Sequence, residues 1–191
     1  AWAAAAYVWR ADGSDAELSP EGVVDALGTA HDVPAANRCF GCHGGRKGRV
    51  LGFSAVQLPS SEDEGDGVLT LQDLVVAGAL SGDVPDTTLP GNDNERTALG
   101  YLHANCSHCH NASRPESDGP RCYDPRRSID MFLKLSQLGS ARETATYQTV
   151  VGSVVEPGDP EGSKLFELVS RRSEGKIGTD QMPPLASERI D

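Results

Sequence analysis

The sequence predicts a mainly α fold divided into two small lobes with many loops. Three observations lead there. The 191 residues suffice for one large domain or two lobes of about ninety. Several stretches carry helix-start signals followed by apolar residues at helical spacing. The 21 Gly and 12 Pro divide the chain into short pieces.

Four helical segments follow from these signals. Thr70 and Asp73 form a capping-box pattern ahead of Leu71, Leu74, Val75 and Leu80, with Gly82 as the stop. Asn92 or Asp93, followed by Glu95 or Arg96, opens a segment through Leu99 and Leu102 that runs into Cys106. Asp124-Pro125 sets a cap and a first-turn proline before Met131, Phe132, Leu135 and Leu138, with Gly139 as the stop. Asp159-Pro160 repeats the device before Leu165, Leu168 and Val169. Ser60 to Gly67 is acidic and glycine-bearing, a surface loop rather than a calcium loop because EF-hand spacing is incomplete. Asp83 to Asp93, with Pro85, Pro90 and Gly91, is the expected joint between lobes 1–92 and 93–191.

The composition bounds the partners. With 28 acidic and 17 basic residues the net charge is −11, which excludes nucleic acid and anionic membrane surfaces. A protein with a basic docking patch, a mineral or a small-molecule acceptor is expected instead, with plain solubility as an equal reading of the charge. No stretch approaches the length of a membrane span, and Ala1 to Ala6 is too short for a signal-peptide core, so a mature or trimmed chain is expected. Four Phe, four Tyr and two Trp are a thin aromatic supply for two cores, which invites a large apolar group as filler.

The chemistry lies in Cys39-Phe40-Gly41-Cys42-His43 and Cys106-Ser107-His108-Cys109-His110. Both fit C-x-x-C-H, the haem c attachment pattern. Two cysteines three apart can each form a thioether with a haem vinyl group, and the histidine that follows lies where its imidazole can bind the iron. Two matches in a chain with five Cys and five His are hard to attribute to chance. A tetracysteine zinc site would bring its pairs within about 15–20 residues, whereas 63 residues lie between Cys42 and Cys106. Neither zinc nor a thioredoxin-type pair explains a histidine after both pairs. The expectation is two covalent haem c groups, each in a cytochrome c-like lobe, and hence a periplasmic or extracellular location.

With His43 and His110 as proximal ligands, His31, His103, His108, Met131 and Met182 remain for the sixth positions. Met182, in Gln181-Met182-Pro183-Pro184, sits in a proline-stiffened loop and is expected opposite His110. Met131 belongs to an apolar stripe and is expected in the core. For the first haem the candidates are His31, eight residues ahead of Cys39, then His103 on the helix entering the second motif, then a five-coordinate iron. His108 is expected to face solvent or a propionate. A Met/His pair would raise the potential relative to two imidazoles.

These residues resemble a bacterial family of dihaem c-type cytochromes. The resemblance rests on Tyr101-Leu102-His103-Ala104-Asn105-Cys106-Ser107-His108-Cys109-His110-Asn111, on Pro157-Gly158-Asp159-Pro160-Glu161-Gly162-Ser163, on Met182-Pro183-Pro184-Leu185, and on Gly52-Phe53-Ser54-Ala55-Val56-Gln57-Leu58. It spans about residue 31 to the end and is more specific in the second half. It implies electron carriage, often beside or fused to a periplasmic dehydrogenase, with His110 and Met182 as one axial pair; it leaves the first haem's sixth ligand open. Both ends read as cut, so a trimmed fragment or a neighbouring chain that completes the packing is expected. Cys122 has no sequence partner and is expected as a buried free thiol. An electron carrier is thus favoured over a dihaem peroxidase or oxidase, whose acid/base groups over an open iron are not recognisable. Membership of a larger complex or polymer is a third expectation.

Overall fold

The computed structural model describes residues 3–46, 48, 50–58, 67–113, 129–172, 181–184 and 190. Most of the Ser60–Gly67 loop, Cys122, Asp124-Pro125 and Leu185 therefore lie outside the described residues.

The chain opens with a hairpin in which β1 (Tyr7–Trp9) pairs antiparallel with β2 (Ala16–Leu18), with Tyr7 opposite Leu18 and Trp9 opposite Ala16. A bridge between Val23 and Val33 follows, and a 3-10 turn at Ala36–Arg38 leads into α1 (Cys39–His43). After a 3-10 turn at Ala55–Gln57 come α2 (Leu71–Val76) and α3 (Asp93–Cys106), then 3-10 turns at Leu135–Gln137 and Ala141–Glu143, then α4 (Ala145–Val150) and α5 (Lys164–Val169).

The expected mainly α fold is corrected by these elements. Helices of both kinds hold 35% of the described residues, and strand or bridge holds 8%. Of the five α-helices among the described residues, four span six residues or fewer and α3 reaches 14. Local breakers explain why. Helix α2 has the expected capping box, with Thr70 Oγ1 accepting from the Asp73 N–H at 3.1 Å and Asp73 Oδ2 from the Thr70 N–H at 2.9 Å. It nevertheless stops at Val76, because Gly78 at φ +69° turns the chain before Gly82 is reached.

The helix expected over Met131 to Leu138 is replaced by extended chain and one 3-10 turn. The apolar residues Ile129, Met131 and Leu133 are buried at alternate positions, with Asp130 buried as well, a spacing that the 131, 132, 135, 138 pattern concealed. Asp159-Pro160 makes a turn rather than a first helical turn: the Gly162 N–H donates to Asp159 Oδ1 at 2.9 Å, and α5 begins only at Lys164. Helix α4 was not anticipated; Thr144 caps it by accepting from the Tyr147 N–H at 3.1 Å.

Two apolar clusters flank α3. One holds Ile129, Met131, Val150 and Val154, against which Leu102, Cys106 and Leu165 pack. The other holds Leu99, Leu133 and Ala141, with Val56 and Leu89 against it. Met131 is thus a core side chain, 2% exposed, as expected. Val56 and Leu89, which precede residue 92, pack against the cluster of Leu99, Leu133 and Ala141, which follow it. No helix among the described residues is long and apolar enough to cross a membrane.

Candidate functional site

Each C-x-x-C-H sequence forms one helical turn. The first is α1 itself. The second begins at the last residue of α3, and Cys106 O accepts from the N–H groups of Cys109 at 3.1 Å and His110 at 2.8 Å. Positions i, i+3 and i+4 share a face of such a turn, so the backbone groups Cys39, Cys42 and His43, and likewise Cys106, Cys109 and His110. Two thiols and an imidazole on one side of a turn are the donor set that covalent haem requires. On this count both motifs fit the group.

Helix α3 aims the second motif. Its start is secured by a reciprocal capping box in which Asn92 Oδ1 accepts from the Glu95 N–H at 3.1 Å and Glu95 Oε2 from the Asn92 N–H at 2.8 Å. Its end is tied down by Asn111, whose buried amide donates to the Ser107 carbonyl at 2.8 Å and the His108 carbonyl at 3.3 Å. The Met131 N–H donates to the His110 carbonyl at 2.9 Å, pinning the motif to the core.

The two motifs meet. The Cys109 thiol donates to the Gly41 carbonyl at 3.4 Å, and the thiols of Cys42 and Cys109 hydrogen-bond with each other. Gly45 permits the approach, since a Cβ there would overlap the His108 carbonyl oxygen. His108 is half-buried, with its imidazole against the Cys42 thiol. The Cys109 hydrogen bond and burial push the Cys42 thiol up, with His108 opposing, and burial pushes Cys106 up to about 11. Cys42 and Cys106 are therefore neutral thiols near pH 7.

His103, a candidate sixth ligand, is 3% exposed and spends both ring nitrogens inside the protein. Its Nδ1 accepts from the Leu133 N–H at 3.1 Å, so the neutral ring carries its proton on Nε2, 3.0 Å from Ser54 Oγ. Ser54 Oγ in turn donates to Gln57 Oε1 at 2.9 Å. The ring also packs on Phe132 with centroids 4.9 Å apart, and the Arg46 guanidinium covers Phe132 at 3.6 Å. Neither nitrogen is available to iron in this arrangement.

His31 and His43 are exposed. Met182 is half-buried; its N–H donates to the Leu168 carbonyl at 3.0 Å, and the Gln181 amide donates to the Pro183 carbonyl at 2.9 Å. This seats the Met182 loop on α5, whose Leu165 packs on the same cluster as Cys106.

Arg46 and Gly45 were not singled out from the sequence, and Ser54 and Asn111 entered only as members of the stretches that carry the resemblance. The Gly44-Gly45 pair directly after the first motif is a signal of close backbone approach. Spacing carries no comparable signal for Ser54 or Arg46, which reach their partners across the fold. No protein-family model, curated protein or solved structure matches the chain.

Proposed function

We propose that the chain is a dihaem c-type cytochrome that carries electrons between periplasmic or extracellular redox partners. One observation carries the reading: both C-x-x-C-H sequences fold as a helical turn that groups two cysteines and a histidine on one side. Cys39 and Cys42 would hold one haem and Cys106 and Cys109 the other, with His43 and His110 as proximal ligands. Bound haem supplies one-electron chemistry at its iron.

The residues around these motifs do the remaining work. Met182, on a loop anchored to α5, is the proposed sixth ligand opposite His110. His31 is preferred to His103 for the first iron, because His103 is committed to Ser54 and Leu133. The net charge of −11 suits a redox partner with a basic docking patch, whose association would weaken with salt.

The test is a haem count on the full chain exported to a periplasm. Denaturing electrophoresis with haem stain, the mass and the reduced haemochrome spectrum should agree on two covalent haems. Cys39→Ala with Cys42→Ala, and Cys106→Ala with Cys109→Ala, should each leave one. A chain without covalent haem refutes the reading. Peroxide turnover with an artificial donor would replace the carrier by a peroxidase.

A further inference from the structure

The seam between the motifs brings the thiol of Cys42 to the adjacent pair His108 and Cys109, 66 positions or more away in sequence. Cys42 Sγ, Cys109 Sγ and an imidazole nitrogen of His108 lie within 4.8 Å of one another. We propose that, in the chain before haem attachment, these residues bind one zinc-class divalent cation. The inference goes beyond the haem reading and does not need it.

The donor chemistry selects the ion. Two thiolates and one imidazole suit Zn²⁺ or Co²⁺ and disfavour Ca²⁺ or Mg²⁺, which take oxygen ligands. Distance is also adequate. Zinc–sulfur bonds of about 2.3 Å at tetrahedral angles put two sulfurs about 3.8 Å apart, so the trio closes on an ion by side-chain movement of about 1 Å or less. Three corners come from the protein, and the fourth is left for water or an exchangeable ligand.

The surroundings hold the trio in place. Cys109 is buried, while Cys42 and His108 are half-buried and leave an approach from solvent. The Asn111 amide fixes the Ser107 and His108 carbonyls, and Gly45 lets that strand of chain lie against α1. The site differs from a tetracysteine zinc site because it takes one cysteine from each motif. Binding forms two metal–sulfur bonds and one metal–nitrogen bond and releases the two thiol protons, with no change of oxidation state. A thioether at Cys42 or Cys109 and the metal exclude one another, so the ion would hold both motifs closed until haem arrives.

The test uses the full chain made in a bacterial cytoplasm, where haem is not attached, titrated with Co²⁺ under reducing, oxygen-free conditions. One Co²⁺ per chain should bind with a thiolate-to-cobalt charge-transfer band and be displaced by one Zn²⁺. Cys42→Ser and Cys109→Ser should each weaken binding at least tenfold, as should His108→Ala; Cys39→Ser and Cys106→Ser should not. X-ray absorption of the unaltered zinc-loaded chain, which needs no variant to fold, should count two sulfurs and one histidine nitrogen. No binding by the chain, four sulfur ligands, or equal dependence on Cys39 and Cys106 would overturn the proposal. Absence of haem from the exported protein would remove the haem reading and leave this result standing.

Discussion

The Leu133 N–H donates to His103 Nδ1 at 3.1 Å, joining the extended 129–134 segment to the last turn of α3 across 30 positions of sequence. Burial, and then the nearby Arg46 charge, hold this histidine down to about 4 from 6.5, against the opposing pull of the Met131 carbonyl. An unfolded chain takes up the proton near pH 6.5 and the folded one only near 4. Stability from this group is therefore complete above 6.5 and is lost as the pH falls toward 4, by roughly 3 kcal/mol. Denaturant unfolding from pH 7.5 to 4 measures it. His103→Gln should flatten that part of the profile, and an unchanged slope would assign the acid sensitivity elsewhere.

The two methionines should separate packing from ligation. Met131 is buried beside Ile129, Val150 and Val154, so Met131→Ala should cost about 2–5 kcal/mol. Its redox titration should keep both components. Met182 is half-buried, and under the proposed ligation Met182→Ala should abolish the higher-potential component while costing little stability. Loss of neither component, or loss of the lower one, would remove Met182 from the iron.

How much of this was legible in the sequence depended on how local each feature is. The Thr70/Asp73 box, the start of α3 at Asn92 or Asp93 and its entry into Cys106 were readable because each is decided within four residues. The 129–134 segment was misread because four apolar residues matched a helical stripe while the buried apolar residues, Ile129, Met131 and Leu133, alternate. Its backbone instead bonds to His110, His103 and Thr149. The seam of Cys42 with His108 and Cys109 was invisible for a related reason. It depends on Gly45 meeting the His108 carbonyl, a contact between distant segments that no spacing rule encodes.

Removing the cap of the longest helix gives a local control. Asn92→Ala leaves the Glu95 N–H without its side-chain acceptor and should cost about 1 kcal/mol. Because α3 positions Cys106, hydrogen exchange at its first turn should rise while haem attachment at the second motif persists. A loss of attachment would show that the cap has a larger part in presenting the motif than its energy suggests.

Gly45 offers the sharpest test of the seam itself. Its backbone does not occupy the left-handed region, so alanine carries no conformational penalty there, yet the added methyl would overlap the His108 carbonyl oxygen. That atom is backbone, held by the Asn111 amide, and cannot swing aside as a long side chain would. Gly45→Ala should therefore destabilise the chain by about 1–3 kcal/mol. Gly48→Ala, where nothing lies within 4 Å, should be close to neutral. If the motifs pack as described, Gly45→Ala should also raise the alkylation rate of Cys42 and Cys109 in the haem-free chain more than that of Cys39, since parting the seam exposes those two thiols. Equal effects of the two glycine substitutions on stability and thiol access would mean that the motifs do not meet in solution.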